Sequence, residues 1–341
     1  MYKAKSLNKI SLLVGGLLLA SATQASVTHL TPPSLEQGNW QSINAFDDQV
    51  IWLGSSHGDV ARSTDAGETW ELSRPVGQVS QHPIYQIKAI DDRQAFVMSS
   101  GRGDASRLFR TRNGGYSWSQ LHRGNGDEHL RCFALINDGE GWILGDTLND
   151  EWHIVRSSNG RTWLRSRSGF SEPALPGEGA FNESGSCVRF ANDTWIMGTA
   201  HASTARVMIK SRSALRFNVI DTPLSSGSNA GVTSVWPLNH RSFLVAGGNF
   251  GRADAEPELF LYENNEFTEL PQAPLSGALT NLIKYQDNIL VANESGIAWT
   301  ADRGENWQQI YDQPVQSLSC TFADGCFALY EEQLIQLQIN N

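Results

Sequence analysis

One short pattern constrains this chain more than any other feature: Ser or Thr, then Asp or Asn two places on, Gly two places further, and Trp three beyond that. Ser63, Asp65, Gly67 and Trp70 form the first copy, Thr111, Asn113, Gly115 and Trp118 the second, and Thr300, Asp302, Gly304 and Trp307 a third. A weaker copy reads Ser158, Gly160 and Trp163. In each, the Asp or Asn side-chain oxygen suits backbone N–H groups of a tight turn, Gly supplies a backbone conformation that side chains disfavour, and Trp anchors the hairpin by packing. Repetition argues for a structural role, because a catalytic acid or metal ligand is needed once, not four times.

Self-similarity at a period of about 40 to 50 residues is the signature of stacked or circularly arranged units. Two further units keep the strands and lose the pattern, one carrying Trp195, Ile196 and Met197 and ending near Phe217, the other carrying Phe243 to Ala246 and ending near Phe267. The anchors at 70, 118, 163, 217, 267 and 307 are then 48, 45, 54, 50 and 40 residues apart. Alternating segments such as Val50 to Leu53, Phe96 to Met98 and Trp142 to Leu144 precede the turns, and others lie upstream, as in Ile43 to Phe46, Ile87 to Ile90 and Cys132 to Ile136. Period-two alternation rich in β-branched and aromatic residues reads as strands, four to a unit.

Six units leave three more strands, around Leu318 to Phe322, Cys326 to Tyr330 and Leu334 to Ile339. Val27 to Thr31, without a hairpin partner of its own, is placed to supply the missing fourth, and closure of this kind removes exposed sheet edges. The expected fold is all-β: a seven-bladed β-propeller of four-stranded antiparallel blades, the last blade closed by the N-terminal strand.

Upstream of that strand, Lys3, Lys5 and Lys9 precede an apolar run from Ile10 to Ala20 and small residues through Ala22 and Ala25. This reads as a signal peptide over 1–25, cleaved after Ala22 or Ala25, since the run is about half the roughly 20 residues a membrane-spanning helix requires. One propeller domain, 26–341, is expected to follow, exported to the periplasm or secreted. Removing the three leader lysines from 26 basic residues, against 36 acidic ones, leaves a net charge of about −13. With no basic run this excludes nucleic acid as an expected partner, because that affinity comes from Lys and Arg releasing counterions. Four cysteines travel into a compartment where disulfides persist. Cys320 and Cys326 flank the turn signal Ala323, Asp324, Gly325 and are candidates to pair, whereas Cys132 and Cys187 occupy matching places in successive units and read either as an inter-blade bridge or as buried thiols.

The turn pattern is the Asp-box, or BNR repeat, and the chain resembles the photosystem II stability/assembly factor-like proteins of that superfamily, in a bacterial, non-photosynthetic branch. The resemblance is carried by Trp40 to Trp70 with Trp52-Leu53-Gly54 and Gly58, by Gly101, Gly103, Ser106 and Arg107, and by Leu175-Pro176-Gly177-Glu178-Gly179-Ala180-Phe181 with Ser184-Gly185. It weakens around Lys210 to Phe217 and Tyr262 to Phe267. What it implies is a lumenal or periplasmic propeller that binds other proteins, often membrane proteins during assembly.

Propellers bind ligands at the ends of their channels, so polar residues on inner strands and their loops are the candidate contacts: Arg131, Asp146, Glu178, Phe181, Arg189, His201 and Asn249. A glycan is the alternative ligand, and a sialidase-like glycosidase or polysaccharide lyase the alternative activity. Against a sialidase stands the lack of an Arg-Ile-Pro segment and of an arginine triad around Arg189. A lyase needs a base, for which His57, His82, His201 and Tyr85 are available only as residue types. The eight histidines form no ligand-spaced cluster, no Gly-x-Ser-x-Gly elbow occurs, and Gly101-Arg102-Gly103 and Gly247-Gly248 with Gly251 open no helix as dinucleotide binding requires. A monomeric, non-catalytic scaffold is the expectation.

Overall fold

The computed structural model describes residues 25–75, 82–137, 139–181, 186–252, 254–321 and 325–339. The leader cleavage region before Ala25, Ser184-Gly185 and the Ala323-Asp324 turn lie outside the described residues.

The strand β1 (Ala25–Leu30) is followed by blade 1, made of β2 (Trp40–Ala45), β3 (Ile51–Ser55), β4 (Val60–Ser63) and β5 (Glu71–Ser73). Blade 2 is β6 (Ile84–Ala89), β7 (Ala95–Ser99), β8 (Arg107–Thr111) and β9 (Ser119–Arg123), and blade 3 is β10 (Leu130–Leu135), β11 (Gly141–Gly145), β12 (Ile154–Ser157) and β13 (Leu164–Ser166). Blade 4 holds β14 (Val188–Ala191), β15 (Thr194–Gly198), β16 (Arg206–Ser211) and β17 (Asn218–Asp221). Blade 5 holds β18 (Ala230–Asn239), β19 (Ser242–Asn249), β20 (Glu258–Glu263) and β21 (Glu266–Glu269). Blade 6 is β22 (Asn281–Tyr285), β23 (Asn288–Asn293), β24 (Gly296–Thr300) and β25 (Gln308–Tyr311). Blade 7 runs from β26 (Ser317–Cys320) through β27 (Cys326–Tyr330) and β28 (Gln333–Ile339) out to β1, so seven antiparallel four-stranded sheets close a ring. In blade 7, β1 pairs with β28 from Ala25↔Ile339 to Leu30↔Leu334, which is the expected closure.

Buried aromatics fill the spaces between blades. Trp40, Trp52 and Trp195 are fully buried, each removing enough apolar surface to contribute about 4 to 6 kcal/mol. Near the channel the contacts become polar. Ser42 Oγ donates to Ile84 O (2.7 Å), Gln86 bonds Phe133 N (2.7 Å) and O (2.6 Å), and Leu282 N donates to Ser234 Oγ (3.0 Å). The ring closes in the same way, Ile43 N reaching Ser317 Oγ (3.2 Å) and Ala45 N reaching Ser319 Oγ (3.0 Å). These polar positions explain why the inner strands begin three residues before the alternation in the sequence suggests, at Trp40 and Ile84. Blades 3 and 4 carry a covalent link instead: Cys132 of β10 is bonded to Cys187, just ahead of β14. Cys320 and Cys326 are bonded across the β26–β27 hairpin, where they are direct register partners.

The turn pattern acts as the chemistry demands. Ser63 Oγ accepts Gly67 N–H (2.8 Å) while Asp65 Oδ1 accepts Thr69 N–H (2.9 Å), and Thr111 with Asn113 and Thr300 with Asp302 repeat these bonds. Gly67, Gly115 and Gly304 hold φ of +91°, +95° and +90°, which a side chain would strain. Three of the four Trp also reach beyond their own sheet to the preceding blade, in its outer strand or just past it: Trp70 Nε1 to Thr31 O (3.1 Å), Trp118 Nε1 to Ser73 Oγ (3.3 Å), Trp307 Nε1 to Pro271 O (2.7 Å). The hairpin pin is therefore a bond between blades as well. Blade 3 corrects the assignment of Ser158, which is exposed and takes no part in the turn. Ser157 Oγ accepts Gly160 N–H (2.9 Å) and Asn159 Oδ1 accepts Arg161 N–H (2.9 Å), because this turn is one residue shorter.

Candidate functional site

Antiparallel order sends the links between blades and the links from second to third strand to the same end of the ring, and the short turns to the other. The longest loops converge over blades 3 to 5, where Gly179 exchanges both backbone bonds with Ala200 (2.9 and 2.8 Å) and Ala200 bridges Gly231. Thr147 N–H donates to Glu178 O (2.9 Å) and Phe250 N–H to Asn229 O (2.8 Å), lacing five loops into one surface. A Cβ at Gly179 would stand 2.2 Å from Asp146 Oδ1, so a side chain there would have to push that carboxylate away from Arg131.

Most of the polar candidates are occupied in holding that surface. Glu178 does not face the channel: it is fully buried, taking Arg206 Nε (3.0 Å), a second and shorter contact from Arg206 Nη2, Thr199 Oγ1 (2.6 Å) and Leu175 N–H (2.8 Å). Arg206 is finished by Pro173 O (2.9 Å) and the face of Trp152 (5.2 Å). With these donors on it and no exposed surface, the carboxylate is out of reach of a substrate. Arg131 binds Asp146 through Nε (2.9 Å) and Nη2 (2.7 Å), with His129 Nδ1 at 3.4 Å from the same carboxylate. Burial first, then Arg131, hold the His129 ring down to about 4, against the opposing pull of Asp146. Asn249 closes β19 by accepting Gly251 N–H (2.8 Å).

Arg189 lies on the inner strand β14, its Nε donating to Val235 O (3.0 Å) and its guanidinium 4.2 Å above Trp236. Burial lowers it to about 10, and Lys88 of β6 is pushed down by burial first and by Arg189 second. The interior of the ring thus holds two cations from blades 2 and 4. Lys88 escapes sequence reading because a lone Lys inside a strand pattern gives no sign of facing a channel.

His201 follows β15, the second strand of its blade, and lies beside the inner strand β18, its N–H donating to Ala230 O (3.1 Å). At φ +70° its Nδ1 reaches Ser228 O (2.7 Å), and its ring packs edge-on against Phe181 (4.6 Å), which meets Phe250 (4.7 Å). Phe181 is buried, and Phe250 is 41% exposed, so the loop surface carries an apolar spot. Phe250 was not legible as a contact, because nothing in its Asn-Phe-Gly context distinguishes it from a turn aromatic. Among the described residues no three His, Cys, Asp or Glu side chains are grouped to hold a metal ion.

No family model matches this chain, and no curated protein sequence does. Solved structures do match. YCF48 bound to D1 peptide aligns over 94% of this chain and 98% of its own at 15% identity with a TM-score of 0.61. YCF48 from Cyanidioschyzon merolae aligns over 93% and 99% at 12% identity and 0.64, and the Pan2 WD40 domain of Neurospora crassa over 94% and 97% at 14% and 0.64. Over nearly its whole length the chain shares the propeller fold of these proteins.

Proposed function

We propose that this chain is a non-catalytic protein-interaction scaffold, exported to the periplasm or beyond, whose partner docks on the loop surface of blades 3 to 5. One observation carries the reading: the groups there with chemical potential, Glu178, Arg206, Arg131 and Asp146, are consumed by one another, while the apolar Phe250 beside Phe181 and His201 is left for contact. An aromatic anchor on a rigid platform is the usual core of a protein interface. The similar fold of YCF48, whose solved structure includes a D1 peptide, supports a protein ligand, and the resemblance to assembly factors supports a membrane protein as that ligand. The two disulfides support export, because such bonds persist in oxidising compartments.

A photo-crosslinking residue at position 250, in intact cells, is expected to yield one discrete protein adduct that the same residue at position 215, on the opposite end, does not. Equal adducts at both positions, or none at 250, would refute the docking surface. A fusion of residues 1–25 to a reporter active only outside the cytoplasm tests export, and an inactive fusion refutes it.

A further inference from the structure

A groove of about 470 Å³ lies on the rim between blades 2 and 3, away from the loop surface. Three arginines converge on it, Arg110 from β8, Arg112 just after it and Arg161 from the short turn of blade 3, with Ser119 and Leu121 of β9 beside them. The chain is acidic overall, and several arginines elsewhere are neutralised, Arg62 by Glu71, Arg74 by Asp59 and Arg212 by Glu140. Among the described residues no carboxylate comes within ion-pairing distance of these three. Arg110 reaches Gln94 Oε1 (2.9 Å) and covers the face of Phe96 (5.0 Å), but its Nε is buried without a partner. Burial first, and then Arg112 and Arg161, press its pKa down, with Asp91 opposing, so the groove holds positive charge that an anion would relieve.

The groove exists for a structural reason. In blades 1, 2 and 6 the turn Trp reaches the preceding blade, in its outer strand or just past it, whereas the shortened turn of blade 3 leaves Trp163 buried with its Nε1 unpaired. Facing the opening is β9, the outermost strand of blade 2, which among the described strands pairs only with β8. An outer strand offers alternating N–H and C=O groups that an extended peptide can match and a sugar or phosphate cannot, and the arginine fork matches carboxylates.

We propose that this groove binds an extended acidic segment of a protein partner, laid along the free edge of β9 with its carboxylates against Arg110, Arg112 and Arg161. The inference rests on the scaffold reading and adds the chemistry of what is recognised. The test is fluorescence anisotropy with a labelled nonaglutamate peptide, a nonaglutamine control and a sulfated heparin octasaccharide, on the full exported chain and on Arg112→Ala/Arg161→Ala. Both substituted residues are exposed, so an unchanged thermal midpoint verifies folding. The acidic peptide is expected to bind at least tenfold more tightly than the glutamine control, to lose at least tenfold in the double variant, and to weaken as NaCl rises. Equal affinity of wild type and variant for nonaglutamate overturns the site, and tighter binding of the octasaccharide, lost in the same variant, overturns the peptide assignment. Neither result touches the adduct at position 250, and loss of that adduct alone would sink the loop-surface reading while leaving these affinities in place.

Discussion

Glu178→Gln separates a structural role for this residue from a functional one. Its side chain is 0% exposed and that of Arg206 5%, and the substitution keeps shape while removing the charge that balances the guanidinium. Breaking one side of a buried pair costs about 3 to 5 kcal/mol, because the remaining ion stays out of water. Arg206 keeps Pro173 O and the Trp152 ring, which places the expected loss at the low end, about 3 kcal/mol. The loop from Leu175 to Phe181 hangs from this carboxylate through Leu175 N–H, so local opening there accompanies the loss. Urea unfolding followed by tryptophan fluorescence is the assay, with hydrogen exchange over residues 173–181 as the local readout. Glu178→Leu/Arg206→Met is expected to be more stable than Glu178→Gln, since no uncompensated charge remains. A Glu178→Gln protein within about 1 kcal/mol of wild type that nevertheless loses its adduct at position 250 would refute the reasoning and make Glu178 a ligand contact.

Deleting residues 26–34 removes β1 and with it the acceptors Thr31 O for Trp70 and Pro33 O for Trp40, so a large drop in thermal midpoint is expected, and an unchanged midpoint contradicts the closure. Cys132→Ala/Cys187→Ala opens a link spanning 55 residues, which by loop entropy stabilises by about 4 kcal/mol at most; a double variant as stable as wild type in urea would show the bridge to be idle. For His129, a folded-state pKa of about 4 below the unfolded 6.5 means that the unfolded chain binds the extra proton, so stability falls as pH drops from about 6.5 to about 4. Solvent at the partly exposed ring reduces the effect to about 1 to 2 kcal/mol. His122 and His153, also lowered chiefly by burial, act in the same direction. Thermal midpoints at pH 7.5 and 5 should differ less in His129→Gln than in wild type, and an equal difference in both would exclude this histidine.

The ring was legible because its cause is local and repeated. Each turn needs its hydroxyl, its Asp or Asn and its Gly within a few residues, and four copies fix a period from which blades without the pattern can be counted. The N-terminal strand was legible by subtraction, as the sole alternating segment lacking a hairpin partner. What failed to read correctly was set by neighbours distant in sequence. In blade 3 the hydroxyl of the turn belongs to Ser157 and not to Ser158, and the one-residue deletion in the turn is invisible until the Gly160 amide shows which oxygen it meets. Glu178 resembled a ligand contact because its counterion lies 28 residues on, across a loop and into β16.

The same contrast orders the charged residues by what they are free to do. An acidic chain has an excess of carboxylates with which to neutralise its arginines, and at Asp59, Glu71, Glu140, Asp146 and Glu178 it does so. Cations left unmatched in such a chain cost stability unless something else offsets them, and two groups of them stand out among the described residues: Lys88 with Arg189 inside the ring, and Arg110 with Arg112 and Arg161 on its rim. Inside the ring the Val235 carbonyl and the Trp236 face already compensate Arg189. The rim arginines have no comparable set of acceptors: Arg110 has one amide oxygen and one ring, and Arg112 and Arg161 project into water over an unpaired strand edge. Replacing Arg161 by Glu should therefore raise the thermal midpoint, by pairing Arg110 and Arg112 from within, and at the same time abolish nonaglutamate binding. A variant that is neither more stable nor weaker in binding would mean that the three arginines repel one another too little to matter, and the groove would lose its claim to a ligand.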